Sequence, residues 1–199
     1  MLRPDEVRAR YERVRQEVGP EVTVMAATKY VSLADMAVLA EAGIEVVGEN
    51  RAQDLVAKQD AYGDAFRWHF IGHLQSRKAP LVSARCELVH SLDSLSSARR
   101  LTVPALLQVN LSGEETKSGI PPEQVEEFLA RCPAQVLGLS TMPPLAHDPE
   151  DSRPFFRRLR KLAESLGLRE LSMGTSQDYR VAAEEGATYV RVGSVLWGG

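Results

Sequence analysis

The chain has 199 residues, of which 44% are hydrophobic and 26% are charged, and its formal net charge at pH 7 is −3. This length predicts a single domain, residues 1–199, with room for a sizeable core, and the small net charge gives no general attraction to nucleic acid or to an anionic membrane. The amino-terminal stretch is charged and amphipathic, and no apolar run reaches the length of a membrane span. We therefore expect neither a signal peptide nor a membrane-spanning segment.

Short apolar runs alternate with helical patterns along the whole chain. In chain order, the predicted elements are helix Arg3–Val18, strand Val22–Lys29, helix Leu33–Ala42, strand Glu45–Asn50, helix Arg51–Ala61, strand Trp68–Gly72, a short helix near Ser76–Ser83, strand Glu87–Asp93, a short helix near Ser94–Leu101, strand Ala105–Leu111, helix Pro122–Arg131, strand Gln135–Met142, helix Pro149–Leu166, strand Glu170–Gly174, helix Gln177–Glu185 and strand Thr188–Ser194. Several strands, such as "ALLQVNL" and "TYVRVGS", are apolar on both faces, which is typical of parallel strands covered on both sides. Strands and helices that alternate in this way predict a single (β/α)₈ barrel of the TIM type, and a doubly wound open sheet is the alternative.

The two cysteines, Cys86 and Cys132, lie far apart, and neither belongs to a C-x-x-C motif. This usage argues against a disulfide framework and against a zinc site, and it is typical of proteins from a reducing compartment. We therefore expect a cytoplasmic protein.

Polar residues and glycines gather at the carboxyl-terminal ends of the predicted strands. They are Lys29, Glu49, Asn50, Gly72, His73, Ser91, Asp93, Asn110, Ser140, Thr141, Ser172, Gly174, Thr175, Ser176, Arg191, Gly193 and Ser194. In a (β/α)₈ barrel these strand ends form the one face on which active sites lie. We therefore expect a ligand site at this face, with a lysine on the first strand.

The loops after the last two predicted strands combine glycines with hydroxyl side chains. "MGTSQD" places Gly174 and Ser176 just before a helix, and "VRVGS" adds Gly193 and Ser194. Backbone N–H groups at a helix amino terminus, together with hydroxyls, form an anion site suited to phosphate, and barrels commonly build such sites after strands 7 and 8. The alternative is that the glycines only form turns and that Ser176 only caps a helix.

Two cations interrupt apolar strands, Lys29 in "VTVMAATK" and Arg191 in "YVRVG". Because a buried cation is costly without a partner, each is a candidate ligand contact. The alternatives are that Lys29 reaches solvent where its strand leaves the core and that Arg191 faces a carboxylate. His69 and His73 have H-x₃-H spacing but fall on a strand and the following turn, so we expect no metal site there. The chain has no G-x-S-x-G, P-loop or G-x-G-x-x-G motif.

A lysine on the first strand, a phosphate site after the last two and an arginine beside it indicate pyridoxal 5'-phosphate. Its aldehyde takes an amine as a Schiff base, its phosphate takes an anion site, and its ring nitrogen takes a partner. The motifs "AATKYVS", "GENRAQD", "WHFIGHLQSRK", "HSLDS", "LLQVNLSGEETKSGI", "GLSTMPP" and "LSMGTSQDYRVAAEEGATYVRVGSVLWG" run in order over nearly the whole chain. With these motifs the chain resembles the pyridoxal phosphate homeostasis proteins, whose barrel is similar to the N-terminal domain of alanine racemase.

The resemblance implies roles for individual positions. It implies that Lys29 holds pyridoxal 5'-phosphate as a covalent aldimine, that Asn50 lines the cofactor pocket, and that Arg191 faces the pyridine nitrogen. It also implies that the phosphate loops contain Gly174, Ser176, Gly193 and Ser194. The stretch "ETKSGI" matches another family motif, in which Lys117 is a secondary site for free cofactor.

The arginine at the pyridine nitrogen bears on whether the chain is an enzyme. An arginine leaves that nitrogen unprotonated and makes the ring a weaker electron sink. Racemases with this arrangement use an additional acid/base residue, which in alanine racemase resembles a tyrosine from a second domain. This chain stops at Gly199. We therefore expect a monomeric binding and supply protein for the cofactor, without a robust reaction of its own, and with pyridoxal phosphate-dependent apoenzymes as partners.

Two enzymatic functions remain as alternatives. One is an amino-acid racemase or related enzyme that uses Tyr30 or Tyr179 as the missing acid/base residue, although strand alternation directs Tyr30 away from Lys29. The other is a barrel enzyme that binds a phosphosugar.

Overall fold

The structure, a computed structural model, describes residues 2–114, 117–145 and 147–198, so that Met1, Glu115, Thr116, Ala146 and Gly199 lie outside the described residues. The strands are β1 (Thr23–Ala27), β2 (Val46–Glu49), β3 (Arg67–Phe70), β4 (Leu88–Leu92), β5 (Ala105–Gln108), β6 (Val136–Ser140), β7 (Glu170–Thr175) and β8 (Tyr189–Val192). The α-helices are α1 (Pro4–Val18), α2 (Met36–Glu41), α3 (Ala52–Tyr62), α4 (Ala79–Ser83), α5 (Leu95–Ala98), α6 (Val125–Arg131), α7 (Arg153–Ser165), α8 (Tyr179–Glu184) and α9 (Ser194–Trp197). Short 3₁₀ turns cover Gly63–Ala65, Ser76–Lys78, Pro122–Gln124 and Pro149–Ser152.

The strands form one closed parallel barrel. Each strand pairs with its neighbours in chain order, and β1 pairs with β8, where Met25 lies opposite Arg191. The predicted (β/α)₈ barrel is therefore confirmed, and the open sheet is wrong. Because all strands run in the same direction, their carboxyl ends meet at one face of the barrel.

The first strand ends earlier than its sequence predicted. β1 stops at Ala27 and not at Lys29. The amide of Val31 donates to the carbonyl of Thr28 over 2.9 Å, and this turn takes the chain out of the sheet. Lys29 therefore lies in a turn at the rim of the barrel and not in the strand itself.

The last strand also ends early, and an unpredicted helix follows it. β8 stops at Val192, and α9 begins at Ser194. This helix has only 4 residues, which is too short for a helical repeat to show in the sequence. Its first residue is one of the predicted phosphate contacts.

The core has one layer inside the barrel and one between the strands and the helices. In α7, for example, the buried residues are Phe156, Leu159 and Ala163, and their spacing of three and four places them on one face of the helix. Full burial of a large apolar side chain contributes about 1.5–3 kcal/mol. This outer layer holds the strands in place, and with them the loops at their carboxyl ends.

The inside of the barrel contains a buried polar chain. His69 Nδ1 lies 2.9 Å from His90 Nε2, and His90 Nδ1 lies 2.8 Å from Ser172 Oγ. Burial lowers the pKa of His69 to about 4 and lowers that of His90 well below its ordinary value. Both rings are therefore neutral at pH 7.

The second histidine of the H-x₃-H pair lies elsewhere. His73 is exposed, and its Nδ1 lies 3.4 Å from a carboxylate oxygen of Asp93, whereas His69 faces His90 inside the barrel. Within the described ranges, no three His, Cys, Asp or Glu side chains are grouped to hold a metal ion. Cys86 and Cys132 are free thiols.

In the described part of the chain, none of the helices combines the length and the apolar character that crossing a membrane requires.

Candidate functional site

A cavity of about 610 Å³ opens at the carboxyl ends of the strands. Its lining residues are Ala27, Lys29, Tyr30, Asn50, Ile71, Met142, Thr175, Ser176, Gln177, Arg191, Gly193, Ser194 and Trp197. They come from the ends of β1, β2, β3, β6, β7 and β8, from the loops that follow these strands, or from α9, on the face where (β/α)₈ barrels build their sites. All predicted site residues except Gly174 line this cavity, whose volume suits a cofactor-sized ligand.

Lys29 contributes a primary amine to the cavity. Its Nζ lies 4.7 Å from the centroid of the Tyr30 ring, which is a cation–π contact. The prediction that Tyr30 points away from Lys29 is wrong, because both residues lie in the turn after β1, where strand alternation no longer applies. Tyr30 is 85% exposed, so its ring covers one side of the amine at the mouth of the cavity.

Asn50 directly follows β2 and is held by close backbone packing. A Cβ atom on Gly72 would lie 1.8 Å from the Asn50 carbonyl oxygen, so only glycine fits at this position, two residues after β3. The backbone amide of Asn50 donates to Glu49 Oε2 over 3.3 Å. Asn50 therefore reaches the cavity from a backbone position that its neighbours fix.

Gly174 supports the site without lining the cavity. Its φ of +90° lies in the region that favours glycine, and a Cβ atom there would lie 2.5 Å from the Cβ of Ala182 in α8. Its lack of a side chain lets β7 pack closely on α8. The loop that begins at Thr175 directly follows Gly174, so this contact fixes the point at which the loop leaves β7.

Ser176 joins the two predicted phosphate loops. Its Oγ accepts hydrogen bonds from the amides of Gly193, over 2.9 Å, and Val195, over 3.3 Å. Because these bonds use the oxygen lone pairs, the hydroxyl hydrogen is left to donate to a ligand. The amides of Gln177 and Ser194 donate to no atom of the described residues, so the two loops present several N–H and O–H donors to one region of the cavity.

Arg191 is a buried cation in β8 that faces the cavity. Its Nη2 donates to the carbonyl of Thr141 over 2.6 Å, and its Nε is buried with no hydrogen-bond partner among the described residues. Burial lowers the pKa of Arg191 to about 10, with Asp178 acting in the opposite direction, so the group stays charged at pH 7. The unpartnered Nε donor favours a ligand contact over the alternative of an ion pair.

Several polar residues at the predicted rim do not reach the cavity. Ser91 and Thr141 donate to backbone carbonyls just past the ends of β3 and β5. Ser140 donates to the carbonyl of His90 within β4, and Ser172 bonds to the His90 ring. These hydroxyls connect strands inside the barrel. The rim is therefore poorer in ligand-facing donors than the sequence predicted.

Tyr179 is also engaged elsewhere. Its hydroxyl donates to Glu17 in α1, and burial, together with this hydrogen bond, raises its pKa above the ordinary value. It does not line the cavity that contains Lys29. The structure brings Tyr30 to the site but not Tyr179.

Lys117 lies in the loop after β5 and outside the cavity. Its Nζ lies 3.0 Å from a carboxylate oxygen of Glu114. Two residues of the predicted stretch "ETKSGI", Glu115 and Thr116, lie outside the described residues. The structure places Lys117 apart from the Lys29 amine.

Positive side chains lie beside the mouth of the site. A second cavity of about 600 Å³ shares Asn50 with the first and is lined by Arg51, Arg77 and Lys78. This local charge contrasts with the net charge of −3 for the whole chain. It favours the approach of an anionic ligand.

Some lining residues could not be identified from the sequence. Ile71, Met142 and Trp197 supply apolar surface to the cavity, and an apolar residue carries no signal that separates a pocket wall from a core position. Gln177 lies within the quoted motif "MGTSQD", where the sequence predicts only the start of a helix. Trp197 belongs to the short helix α9, which the sequence did not predict.

The chain is similar in sequence to a known domain family and to curated proteins that share one name. The family model for the N-terminal domain of alanine racemase matches residues 2–199. The pyridoxal phosphate homeostasis protein of Aquifex aeolicus is 43% identical over 176 residues, which cover 78% of this chain and 77% of that protein. The protein of the same name from Synechocystis is 36% identical, with 94% of this chain and 96% of that protein covered.

A solved structure has the same barrel. PipY of Synechococcus elongatus, solved with PLP bound, superposes with a TM-score of 0.89 at 31% sequence identity. The superposition covers 96% of this chain and 100% of PipY.

Proposed function

Because the chain belongs to the family of pyridoxal phosphate homeostasis proteins, whose barrel is the alanine racemase N-terminal domain, we propose that it binds pyridoxal 5'-phosphate at the cavity over its strand ends. We further propose that Lys29 holds this cofactor as a Schiff base and that the protein takes part in its intracellular supply. The proposed recipients are apoenzymes that depend on pyridoxal phosphate.

One observation carries the proposal: residues that bear a primary amine, a guanidinium group and a set of hydroxyl and amide donors line the same cavity. The amine of Lys29 suits an aldehyde, which it converts to an imine with loss of water. The donors around Ser176 and Ser194 suit a phosphate group. The unpartnered Nε of Arg191 suits an acceptor such as an unprotonated pyridine nitrogen.

We propose that the bound cofactor undergoes no robust reaction on this protein. An arginine at the ring nitrogen keeps that nitrogen unprotonated and so weakens the electron sink that carbanion chemistry needs. Tyr179 is engaged by Glu17. Tyr30 stacks against the Lys29 ammonium, so the two groups lie together, whereas a two-base racemase needs its acid and base on opposite faces of the substrate.

Titration with pyridoxal 5'-phosphate tests the binding proposal. We expect wild-type protein to turn yellow as the imine forms, and Lys29→Ala to bind the cofactor more weakly and without the yellow species. Lys161→Ala is the matched control, because Lys161 is an exposed lysine on α7 and its loss is expected to change nothing. A wild-type protein that stays colourless, as a phosphosugar enzyme would, contradicts the proposal.

The racemase alternative has one specific observation in its favour, the position of Tyr30 beside Lys29. Exchange of the Cα hydrogen of an amino acid in deuterated water separates the two functions. We expect no exchange above the rate given by free cofactor. Sustained exchange that is lost in Tyr30→Phe would establish the racemase function instead.

A further inference from the structure

A buried ion pair lies against the backbone next to Lys29. Glu49 ends β2, Lys58 lies in α3, and Lys58 Nζ is 2.5 Å from Glu49 Oε1. The Glu49 side chain is 0% exposed and the Lys58 side chain is 7% exposed. Neither of them lines the cavity, and the proposed function assigns neither a role.

The ion pair forms hydrogen bonds with Thr28, whose carbonyl belongs to the peptide bond between Thr28 and Lys29. Lys58 Nζ donates to the carbonyl of Thr28 over 2.7 Å, and the Thr28 hydroxyl donates to Glu49 Oε1 over 2.6 Å. That carbonyl and the amide of Lys29 belong to one peptide group, which is planar. Fixing the carbonyl therefore fixes the direction in which the chain enters Lys29.

The same carboxylate also reaches the second strand end of the cavity. Glu49 Oε2 accepts the amide hydrogen of Asn50 over 3.3 Å. Lys29 and Asn50 both lie just past the ends of their strands, where the sheet ladder no longer holds the backbone. The ion pair adds a second hydrogen bond to the Thr28 carbonyl, beside the one from the Val31 amide, and supplies the bond to the Asn50 backbone amide.

A buried ion pair often stabilises a fold no more than an apolar pair of the same volume does. Removing two charges from water is costly, and a well-packed apolar pair of similar volume is often as stable or more stable. An apolar pair could fill the space between β2 and α3, but it would leave the Thr28 carbonyl with only the Val31 amide and would remove the partner of the Asn50 backbone amide.

We propose that Lys58 and Glu49 are positioning residues, which hold the Thr28–Lys29 peptide so that the Lys29 amine meets the aldehyde of the ligand. The role rests on the proposed function. In the step concerned, the unprotonated Lys29 nitrogen attacks the aldehyde carbon and forms a carbon–nitrogen double bond. The carbon–oxygen bond breaks, and the oxygen leaves as water with the two hydrogens that the amine nitrogen gives up. The pair itself exchanges no atom with the ligand.

The rate of imine formation tests this role. We compare wild-type protein with Lys58→Met and with the apolar double variant Lys58→Met/Glu49→Leu, mixed rapidly with pyridoxal 5'-phosphate. We expect both variants to be slower by about tenfold or more, because a misplacement of 1 Å costs up to about 100-fold in rate. The double variant is expected to stay folded even where Lys58→Met, which leaves an uncompensated buried carboxylate, does not.

A matched control separates positioning from loss of a buried ion pair. Glu185 is 5% exposed and pairs with Arg153 and Arg157 in the outer layer of the molecule. Glu185→Gln removes a buried charge of the same kind at a residue that does not line the cavity of Lys29. We expect it to lower the unfolding temperature and to leave the rate of imine formation unchanged.

A second measurement uses pyridoxine 5'-phosphate, which has a hydroxymethyl group instead of the aldehyde and cannot form the imine. We expect the double variant to bind it as wild-type protein does. An unchanged imine rate in the double variant overturns the positioning role, as does an equal loss of rate and of analogue affinity, because the latter shows a general distortion. A wild-type protein that forms no imine at all contradicts the proposed function itself.

Discussion

Replacing Gly174 by alanine is expected to destabilise the fold and to disturb the loop that carries Ser176. The backbone at Gly174 has φ +90°, and a Cβ atom there would lie 2.5 Å from Ala182 Cβ and 3.1 Å from Tyr179 Cα. The left-handed conformation costs an alanine about 1–2 kcal/mol, and the forced displacement of α8 adds about 1–3 kcal/mol. The free energy of unfolding is therefore expected to fall by about 2–5 kcal/mol, as the sum of the two costs.

Gly167→Ala is the matched control. Gly167 follows α7 and has φ +68°, but a Cβ atom there would meet nothing within 4 Å. It carries only the conformational cost of about 1–2 kcal/mol. The difference between the two variants therefore isolates the contact between β7 and α8.

Urea unfolding of both variants measures the effect. We expect equal m-values and a lower midpoint for Gly174→Ala than for Gly167→Ala. Binding of pyridoxal 5'-phosphate is expected to weaken only in Gly174→Ala, because Thr175 and Ser176 follow this glycine directly. Equal destabilisation of the two variants would refute the reasoning.

Three further outcomes are expected. Replacing Ser176 and Ser194 together by alanine removes two hydroxyl donors worth about 1 kcal/mol each, so calorimetric affinity for pyridoxal 5'-phosphate is expected to fall about 30-fold, and an unchanged affinity would discredit the phosphate loops. Arg191→Met removes a charged donor and is expected to lower the same affinity by about tenfold or more, whereas equal affinity would show that Arg191 does not face the ligand. Acidification below pH 6.5 is expected to lower the melting temperature, because the pKa of His69 is about 4 in the folded chain and 6.5 in the unfolded chain. The unfolded state then binds more protons, and stability rises with pH between these values; a His69→Gln variant with the same pH slope would contradict this cause.

The barrel and much of the site could be predicted from the sequence because both depend on local patterns. Alternating apolar runs and helical repeats give the (β/α)₈ fold, and polar residues at strand ends mark its ligand face. Lys29 and Arg191 stood out because charged groups are rare in buried strands. Both line the cavity.

Other features depend on turns and on contacts that no local pattern records. The direction of Tyr30 follows from the turn at Thr28, which takes the chain out of β1 before the alternation reaches Lys29. The contact of Glu49 with Lys58 requires α3 to pack against the end of β2. Each of these residues looks like an ordinary polar surface residue until the helix is in place.

The inward-facing polar residues show the same limit. Ser172 could be assigned to a strand end, but its bond to His90 crosses the inside of the barrel. Only the closed barrel brings these two residues together. A hydroxyl at a strand end can therefore serve either a ligand or another strand, and the sequence does not distinguish the two.

Borohydride reduction followed by peptide mapping tests most directly whether Lys29 holds the ligand. Wild-type protein is mixed with pyridoxal 5'-phosphate, reduced, digested and mapped, with unreduced protein as the control. We expect the yellow colour to be lost on reduction and the reduced adduct to lie on Lys29. An adduct at Lys117 or at another lysine, with Lys29 unmodified, would contradict the proposed function.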